Sequence, residues 1–320
     1  MNYKRWDPAG FDTSNVLPYE MPEFYKIIIK FYWLIYLVPI ALILTLVPYF
    51  LSDEPVTMVI YMIGGIFGVV SGMYGFFTKI KKNTIKNSIA KKNNWVFSGL
   101  KNADLYNLYS SKFPRIFDLG EVYKNLEGVF WGQYSKNGET FDFVLGNFNY
   151  AEVRSSGRSS STVRYTDHFF IIRLNTDIST NFYLRQKNMG FRLFGRLARK
   201  KITTESIDFN NAFSFSYESN GGNTEVSILS VLSPVLLEEL VAFSNKKKSW
   251  SKRSLGGVRV FFKKDCVAFT APGTLLKTKG GFTPKSLEVK ESDIAEVQEE
   301  LDFFLDLGIK MSNNLSDSAY

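Results

Sequence analysis

The sequence predicts an α+β protein in which two N-terminal transmembrane helices precede a strand-rich cytoplasmic α+β domain. Three observations indicate this fold class: two uncharged apolar blocks near the N-terminus, an ordinary soluble composition after Lys92, and alternating apolar residues from about Glu127 onward. With 320 residues, of which 45% are hydrophobic, the chain is long enough for one large domain or two ordinary ones. The mean hydropathy of −0.08 conceals this division of the chain.

The two apolar blocks cover Phe31–Ser52 and Pro55–Thr78. Each is longer than the roughly 20 residues that a helix needs to cross a hydrocarbon core about 30 Å thick. A pair of buried soluble helices is the alternative, but uncharged apolar runs of this length are typical of membrane spans. A cleaved signal peptide is disfavoured because the first block begins only at Phe31 and follows acidic as well as basic residues.

Lysines fix the expected orientation of these helices. The loop between the blocks contains no Lys or Arg, whereas six lysines and no acid follow the second block: Lys79, Lys81, Lys82, Lys86, Lys91 and Lys92. Basic residues beside membrane helices stay cytoplasmic, so we expect a two-pass protein of the bacterial inner membrane with both termini in the cytoplasm. The same lysines are also able to hold anionic lipid headgroups. Because much of the net charge of +8 lies here, it is poor evidence for nucleic-acid binding.

Glycines in the second apolar block indicate a packing face. Gly64, Gly68 and Gly72 recur every four residues, a spacing that lets another helix backbone approach closely. The partner is either the first helix of the same chain or a second protein, which includes a second copy and hence a homo-oligomer. Neither block contains an Asp, Glu, Lys, Arg or His residue, which argues against a transporter.

The composition divides the rest of the chain into expected segments. Residues 1–30 form a cytoplasmic segment, 31–78 the transmembrane hairpin, 79–126 a basic helical connector, 127–310 the α+β domain and 311–320 a flexible tail. Asp104–Ser111 is expected to be helical. Alternating Phe141, Phe143 and Leu145 predict a strand with a bulge at Gly146, and a flexible loop over Ser155–Thr162 is expected before the next strand.

Further elements follow from periodicity and turn residues. A strand is expected at Phe182–Leu184, and a hairpin is expected to join Ala212–Ser219 to Thr224–Ser230 across residues 220–223. Ser233 and Pro234 are expected to open a helix. Another hairpin turns near Lys264 and Asp265, and a final helix after Ser292 is expected to stop at Gly308.

Two short patterns carry a resemblance. The first pattern, S-x-x-F-x-x-x-F before a strand, is formed by Ser206, Phe209 and Phe213. The second, L-[ST]-P-x-x-[LM]-E-x-L at a helix start, is formed by Leu232, Ser233, Pro234, Leu237, Glu238 and Leu240. With two early membrane helices and a strand-rich region, the chain resembles over most of its length the bacterial two-transmembrane domain-of-unknown-function 3137 family. That family often accompanies LemA-type membrane proteins, so the resemblance implies an envelope-associated assembly and supplies no activity.

Residues for familiar chemistry are sparse. The chain has one histidine, His168, and one cysteine, Cys266, too few for a His/Cys zinc site or an internal disulfide. His168 is expected to be a structural residue in a strand and Cys266 a small buried residue. No phosphate-binding loop, dinucleotide-binding motif or nucleophile elbow is present. We therefore expect neither a cofactor, nor a metal, nor an enzyme.

The basic segment Arg185–Lys201 has two readings. Apolar residues interleave with basic ones, so a helix here places Arg192, Arg196, Arg199 and Lys200 where they contact either anionic headgroups or a protein partner. In the plainer reading the segment is a connecting helix that packs on the sheet and exposes its arginines to solvent. A nucleic-acid partner is disfavoured because no aromatic platform or reading motif surrounds these residues.

The expected function is that of a scaffold or adaptor whose cytoplasmic domain binds a protein partner at the inner membrane. The alternatives are a membrane-surface domain that binds anionic phospholipid and, third, an enzyme without familiar motifs. The adaptor hypothesis predicts a broad exposed apolar patch on the folded domain. The enzyme hypothesis predicts a pocket with clustered polar groups of shifted pKa.

Overall fold

The computed structural model describes residues 4–17, 19–30, 55–156, 159–175, 177–187, 202–217, 224–248, 257–273 and 288–317. The chain divides into two compact units. The sheet unit comprises Met1–Pro18, Ala90–Leu276 and Glu299–Tyr320, and the helical unit comprises Tyr19–Ile89 and Lys277–Gln298.

Helices and strands alternate irregularly along the described residues. The helices are α1 (Glu23–Lys30), α2 (Pro55–Lys92), α3 (Ala103–Lys112), α4 (Ile207–Ala212), α5 (Thr224–Val231), α6 (Pro234–Lys248) and α7 (Glu291–Asp317). The strands are β1 (Val96–Asn102), β2 (Val122–Lys136), β3 (Glu139–Ser156), β4 (Ser159–Arg173), β5 (Phe182–Gln186), β6 (Phe213–Tyr217), β7 (Arg259–Lys263) and β8 (Cys266–Pro272). The α+β class predicted from the sequence is confirmed.

The strands form one eight-stranded sheet in the order β1-β2-β3-β4-β8-β7-β5-β6, and every neighbouring pair is antiparallel. The β3–β4 ladder stays in register from Phe143↔Ile172 to Ser156↔Ser159. The expected flexible loop over Ser155–Thr162 is therefore wrong, since serine and threonine sustain strand pairing there. Arg154 links the two strands by donating a hydrogen bond from Nη2 to the Tyr165 hydroxyl at 2.6 Å.

The bulge expected at Gly146 lies on the neighbouring strand instead. Gly146 pairs with Phe169 without a shift of register, but the β2–β3 register changes between Glu127 and Phe130. Gly128, within that step, has a φ of +64° that favours glycine. Gly146 serves packing, because a Cβ there would lie 2.9 Å from Cε1 of Phe169.

Both faces of the sheet are covered by apolar side chains within the sheet unit. One face carries Trp131, Val144, Phe148 and Phe169, which pack with residues of α3 and of the turn after it. On the other face, Phe170 and Phe269 contact each other, and Phe243 of α6 lies against Phe269 and Phe304 of α7. These aromatic contacts form the core that holds α3, α6 and α7 against the sheet.

Several other local predictions are confirmed, and two more are wrong. The structure confirms the helix at α3, the strands β5 and β6, the β7–β8 hairpin and the helix that opens after Ser233. Thr224–Ser230 is helical rather than a strand, because its apolar residues at 226, 228 and 229 also suit helical spacing. Gly308 does not end its helix: a Cβ there would lie 2.9 Å from Cε1 of Phe170, so glycine permits close packing of α7 on the sheet.

The structure describes only the second of the two apolar blocks. Phe31–Ser52 lies outside the described residues, whereas Pro55–Thr78 forms the first part of the unbroken helix α2. Most side chains of that part also lie outside the description. Within the described residues, no helix combines the length and the hydropathy that a membrane span requires.

The expected segment boundaries fall inside observed elements. The limit at 127 lies within β2, and the sheet unit already includes residues 4–17 and β1. Part of the expected tail at 311–320 belongs to α7, which ends at Asp317.

Candidate functional site

The glycine face predicted for helix packing is accessible on α2. Gly64, Gly68 and Gly72 are exposed, and no atom of the described residues lies within 4 Å of a Cβ built on any of them. The arrangement leaves room for a closely approaching helix. A packing partner from the same chain or from a second protein stays a prediction.

The lysines after this face differ in their surroundings. Lys79, Lys91 and Lys92 are exposed and Lys82 is half-buried, but Lys81 and Lys86 are buried. Within the helical unit, Nζ of Lys81 pairs with Oδ2 of Asp293 at 2.8 Å. Burial raises the pKa of Asp293, but the hydrogen bonds from Lys81 and from the Lys290 amide, together with the charge of Lys81, outweigh it and lower the pKa. Lys81 thus holds a structural position in addition to marking the end of the apolar block.

The other predicted contact residues, Arg192, Arg196, Arg199 and Lys200, lie outside the described residues. Their hypothesis of contact with headgroups or with a partner stays a prediction.

The histidine and the cysteine have the structural positions expected from the sequence. His168 is fully buried in β4, with Nδ1 3.1 Å from the Gly273 carbonyl oxygen and its ring edge-on to Phe304 at 4.9 Å. Cys266 is buried, and burial raises the pKa of its thiol to about 12, which keeps it protonated and unreactive. In the described part of the chain, no three His, Cys, Asp or Glu side chains are grouped as metal ligands.

A carboxylate network near the N-terminus is structural as well. Oδ2 of Asp7 accepts hydrogen bonds from Nε1 of Trp131 at 2.7 Å and from the Tyr109 hydroxyl, while Oδ1 accepts from the amide nitrogen atoms of Ala9 and Phe11. Burial, followed by the charge of Asp7, raises the pKa of Tyr109 well above its ordinary value. Tyr109 is therefore a neutral donor, and the network holds the N-terminal segment on the core.

Exposed apolar side chains on three consecutive helices were not predicted from the sequence. Four of them are large: Ile207 of α4, Val226 and Leu229 of α5, and Val235 of α6. Their fractional exposures range from 40% to 76%. Exposed acidic residues accompany them: Glu205, Asp208, Glu225 and Glu238. We call these eight residues the acidic helical surface.

Helix caps explain why these apolar residues face outward. Ser206 accepts from the amide of Phe209 at 3.2 Å and starts α4, so that Phe209 is buried against Phe213 while Ile207 is exposed. The Ser206, Phe209 and Phe213 pattern is therefore a folding signature.

Ser233 acts in the same way at the start of α6. Its Oγ accepts from the Leu236 amide at 3.2 Å, which turns Leu236, Leu237 and Leu240 inward and leaves Val235 exposed. In α5, Ile228 is buried and Val226 and Leu229 form a pair three residues apart on the exposed side.

Charge distinguishes this part of the sequence from its neighbours. Residues 202–245 contain six acidic residues and no Lys or Arg, although the whole chain has a net charge of +8. This acidic stretch is visible in the sequence, and it is the signal from which the surface could have been predicted.

Comparisons with known proteins give a distant structural likeness. No family model and no curated protein matches the chain. Among solved structures, the chain is similar to the crystal structure of the mycobacterial trehalose monomycolate transport factor A, with 10% sequence identity and a TM-score of 0.31. The match covers 74% of this chain and 93% of that chain. A likeness at this TM-score carries no argument about function, and the family resemblance stays a prediction.

Proposed function

We propose that this protein is a membrane-anchored adaptor whose sheet unit binds a partner protein through the acidic helical surface. The observation that carries the proposal is the exposure of four large apolar side chains within a stretch that has six acids and no basic residue. Apolar contacts supply binding free energy, and the surrounding carboxylates select a partner of opposite charge. The occupant is thus a protein segment that presents both apolar and basic side chains.

Charge favours a protein partner over a lipid surface at this place. The cytoplasmic leaflet is negatively charged and attracts basic residues. Glu205, Asp208, Glu225 and Glu238 would be repelled by such a leaflet. Four exposed apolar side chains on three helices that follow one another in the sequence, with no basic residue among them, favour a binding face over an ordinary solvated one.

The sequence supports the anchoring part of the proposal. Phe31–Ser52 and Pro55–Thr78 contain no charged residue, and the 24 residues at the start of α2 extend about 36 Å as a helix, more than the hydrocarbon thickness of about 30 Å. The six lysines that follow favour a cytoplasmic sheet unit. The resemblance described above suggests a LemA-type membrane protein as one partner to test first.

Copurification of the full chain from its native membrane in mild detergent tests the adaptor function. The double variant Val226→Lys with Leu229→Lys places two positive charges on the acidic helical surface and removes two apolar contacts. Leu100→Lys, on the exposed side of β1, is the matched control. We expect a stoichiometric partner with the wild type and the control and at least a tenfold loss with the double variant. Equal recovery from all three proteins contradicts the proposal.

Alkaline carbonate extraction tests the anchor separately. The full chain is expected to stay in the membrane pellet, and trypsin added outside spheroplasts is expected to leave the lysine-rich sheet unit intact. Release into the supernatant would refute the two-pass anchor but would leave the partner surface to be judged by the copurification.

A further inference from the structure

Two strands of the sheet continue beyond their neighbours as a hairpin. β2 last pairs with β3 at Ala151, and β8 last pairs with β4 at Asp167, whereas the β3–β4 ladder continues to Ser159. Residues 152–156 and 159–163 therefore form a two-stranded extension of the sheet, which we call the β-arm. A two-stranded hairpin by itself is only marginally stable, so a further strand that adds to the β-arm stabilises it.

The outer side of β4 carries backbone groups without a neighbouring strand. The Gly273 amide donates to the Thr166 carbonyl oxygen at 3.1 Å, so the backbone groups of Thr166 point to the side on which β8 lies. Because the β3–β4 ladder has no shift of register and backbone groups alternate in direction along a strand, those of Arg164, Thr162 and Ser160 point to the same side. Among the described residues, these three have no strand partner there. We call this row of backbone groups the free edge.

The free edge lacks the usual protection of an exposed strand. Natural sheets shield such edges with lysine, proline, inward-pointing charges or a bulge. Residues 159–166 contain no Lys, Pro, Asp or Glu, and the β3–β4 register is regular there. The β-branched residues Thr162 and Val163 favour strand pairing instead. The free edge is therefore suited to the addition of another strand.

One face of the β-arm exposes β-branched side chains at this edge. Val153 is 45% exposed and pairs directly with Thr162, which is also exposed. Directly paired residues project from the same face, so the two side chains form a short row that ends at the free edge. Arg164 lies on the same face, with its guanidinium 5.5 Å from the ring centroid of the exposed Tyr123.

We propose that the β-arm pairs with the β-arm of a second copy of this chain, antiparallel and about a two-fold axis at Thr162. In this register Thr162 faces Thr162 of the second copy, and Ser160 faces Arg164. Each of these pairs forms two backbone hydrogen bonds, because all three residues direct their N–H and C=O groups to the free edge. The contact uses neither the glycine face of α2 nor the acidic helical surface.

Self-pairing suits the side chains as well as the backbone. A two-fold axis at Thr162 continues the row of Val153 and Thr162 into the same row of the second copy, so that β-branched side chains stand beside one another on all the paired strands. Arg164 faces an uncharged Ser160, and the charged residues of β3 lie one strand away from the axis. A strand of another sequence makes the same backbone hydrogen bonds but does not complete the row.

Disulfide crosslinking of the full chain in intact native cells, with a membrane-permeant oxidant, tests this pairing. Facing residues of a hydrogen-bonded antiparallel pair have Cα atoms about 5.5 Å apart, which is within disulfide reach. Thr162→Cys is therefore expected to form a covalent dimer. The native Cys266 is buried and does not compete.

Val153→Cys is the matched control, because Val153 is exposed on the same face but lies one strand away from the axis. Its two copies would be separated by three strand spacings, about 14 Å, which is beyond disulfide reach. We expect it to crosslink at least tenfold more slowly than Thr162→Cys. Equal rates at the two positions, or no crosslink at position 162, overturn the proposal.

The mass of the adduct identifies the occupant of the free edge. Twice the mass of the chain supports a second copy. An adduct between Thr162→Cys and a different protein assigns the free edge to another strand and contradicts the self-pairing.

A charge on the axis tests the same contact without oxidation. Thr162→Lys brings two like charges opposite each other, so we expect dimerisation of the purified full chain in mild detergent to weaken at least tenfold. Ser155→Lys adds the same charge at an exposed position of β3, away from the axis, and is expected to dimerise as the wild type does. Analytical ultracentrifugation measures all three proteins, and circular dichroism checks that both variants keep their strands. A monomeric wild type, or equal dimerisation of all three, contradicts the assignment.

Discussion

Nε1 of Trp131 donates a hydrogen bond to Oδ2 of Asp7 at 2.7 Å, across 124 positions of sequence. The indole is fully buried, as is Tyr109, whose hydroxyl donates to the same carboxylate. One acidic residue near the N-terminus thereby satisfies two donors in the core of the sheet unit.

Removing this carboxylate is expected to destabilise the sheet unit. Asp7→Ala leaves two buried donors with weaker partners, so we expect the free energy of unfolding to fall by about 2–4 kcal/mol. Asp12→Ala is the control, because Asp12 is exposed and caps only a short turn, with an expected loss of about 1 kcal/mol or less. Denaturant titration followed by tryptophan fluorescence measures both, and equal losses would show that the network is dispensable.

The Lys81–Asp293 pair is expected to make stability depend on pH. The pKa of Asp293 is lower in the folded state than its ordinary value of 3.8, so its contribution is present above that value and is lost as the pH falls through the folded-state pKa. Asp293→Asn removes this contribution. Thermal unfolding from about pH 6 to about pH 3 is expected to show the wild type and the variant converging at the acidic end.

A double variant checks that prediction independently. Asp293→Asn leaves the buried Lys81 ammonium without its carboxylate, whereas Lys81→Met combined with Asp293→Leu removes both charges. We expect the double variant to unfold at a higher temperature than Asp293→Asn. The opposite order would mean that the ion pair does not compensate the burial of Lys81.

Gly308→Ala is expected to destabilise α7 against the sheet, although alanine is normally the better helix residue. The added Cβ would lie 2.9 Å from Cε1 of Phe170 and 3.1 Å from Cγ2 of Ile172, both in fully packed side chains. We expect a loss of about 1–3 kcal/mol in unfolding free energy. Gly75→Ala in α2, where no described atom lies within 4 Å, is the control and should cause no loss.

Ser206→Ala is expected to weaken the start of α4. The Phe209 amide loses its side-chain acceptor, which lowers the unfolding free energy by about 1 kcal/mol. Ser110→Ala in α3 removes a hydroxyl that donates to a carbonyl oxygen three residues earlier and caps no helix, so a much smaller change is expected there. Equal changes in denaturant midpoint would exclude a capping role.

The sequence was most informative where one physical signal acted alone. The alternation around Phe143 correctly predicts β3, because a two-residue period of apolar residues indicates a strand. Ser233 and Pro234 correctly predict the start of α6, because this pair is typical of a helix N-terminus. Thr224–Ser230 was misassigned because the same apolar residues suit a strand and a helix. Gly308 and Gly146 were misread because a glycine that allows close packing has the same sequence signature as a helix stop or a bulge.

The candidate sites were less accessible to prediction for a related reason. Asp7 and Trp131 are 124 positions apart in sequence and meet only in the folded sheet unit. Such pairings depend on the topology of the whole sheet and not on local spacing. The acidic block at residues 202–245 was visible in the sequence, but its exposed apolar residues could be recognised only once the caps at Ser206 and Ser233 were oriented.

Site-specific photocrosslinking of the full chain in its native membrane tests the adaptor function most directly. A photoreactive side chain at Val226 is compared with one at Leu100, both of which are exposed. The account predicts a single adduct of defined mass from position 226, absent from position 100 and suppressed by Leu229→Lys. Identical adduct patterns from both positions, or none from position 226, would contradict a partner surface on α4–α6.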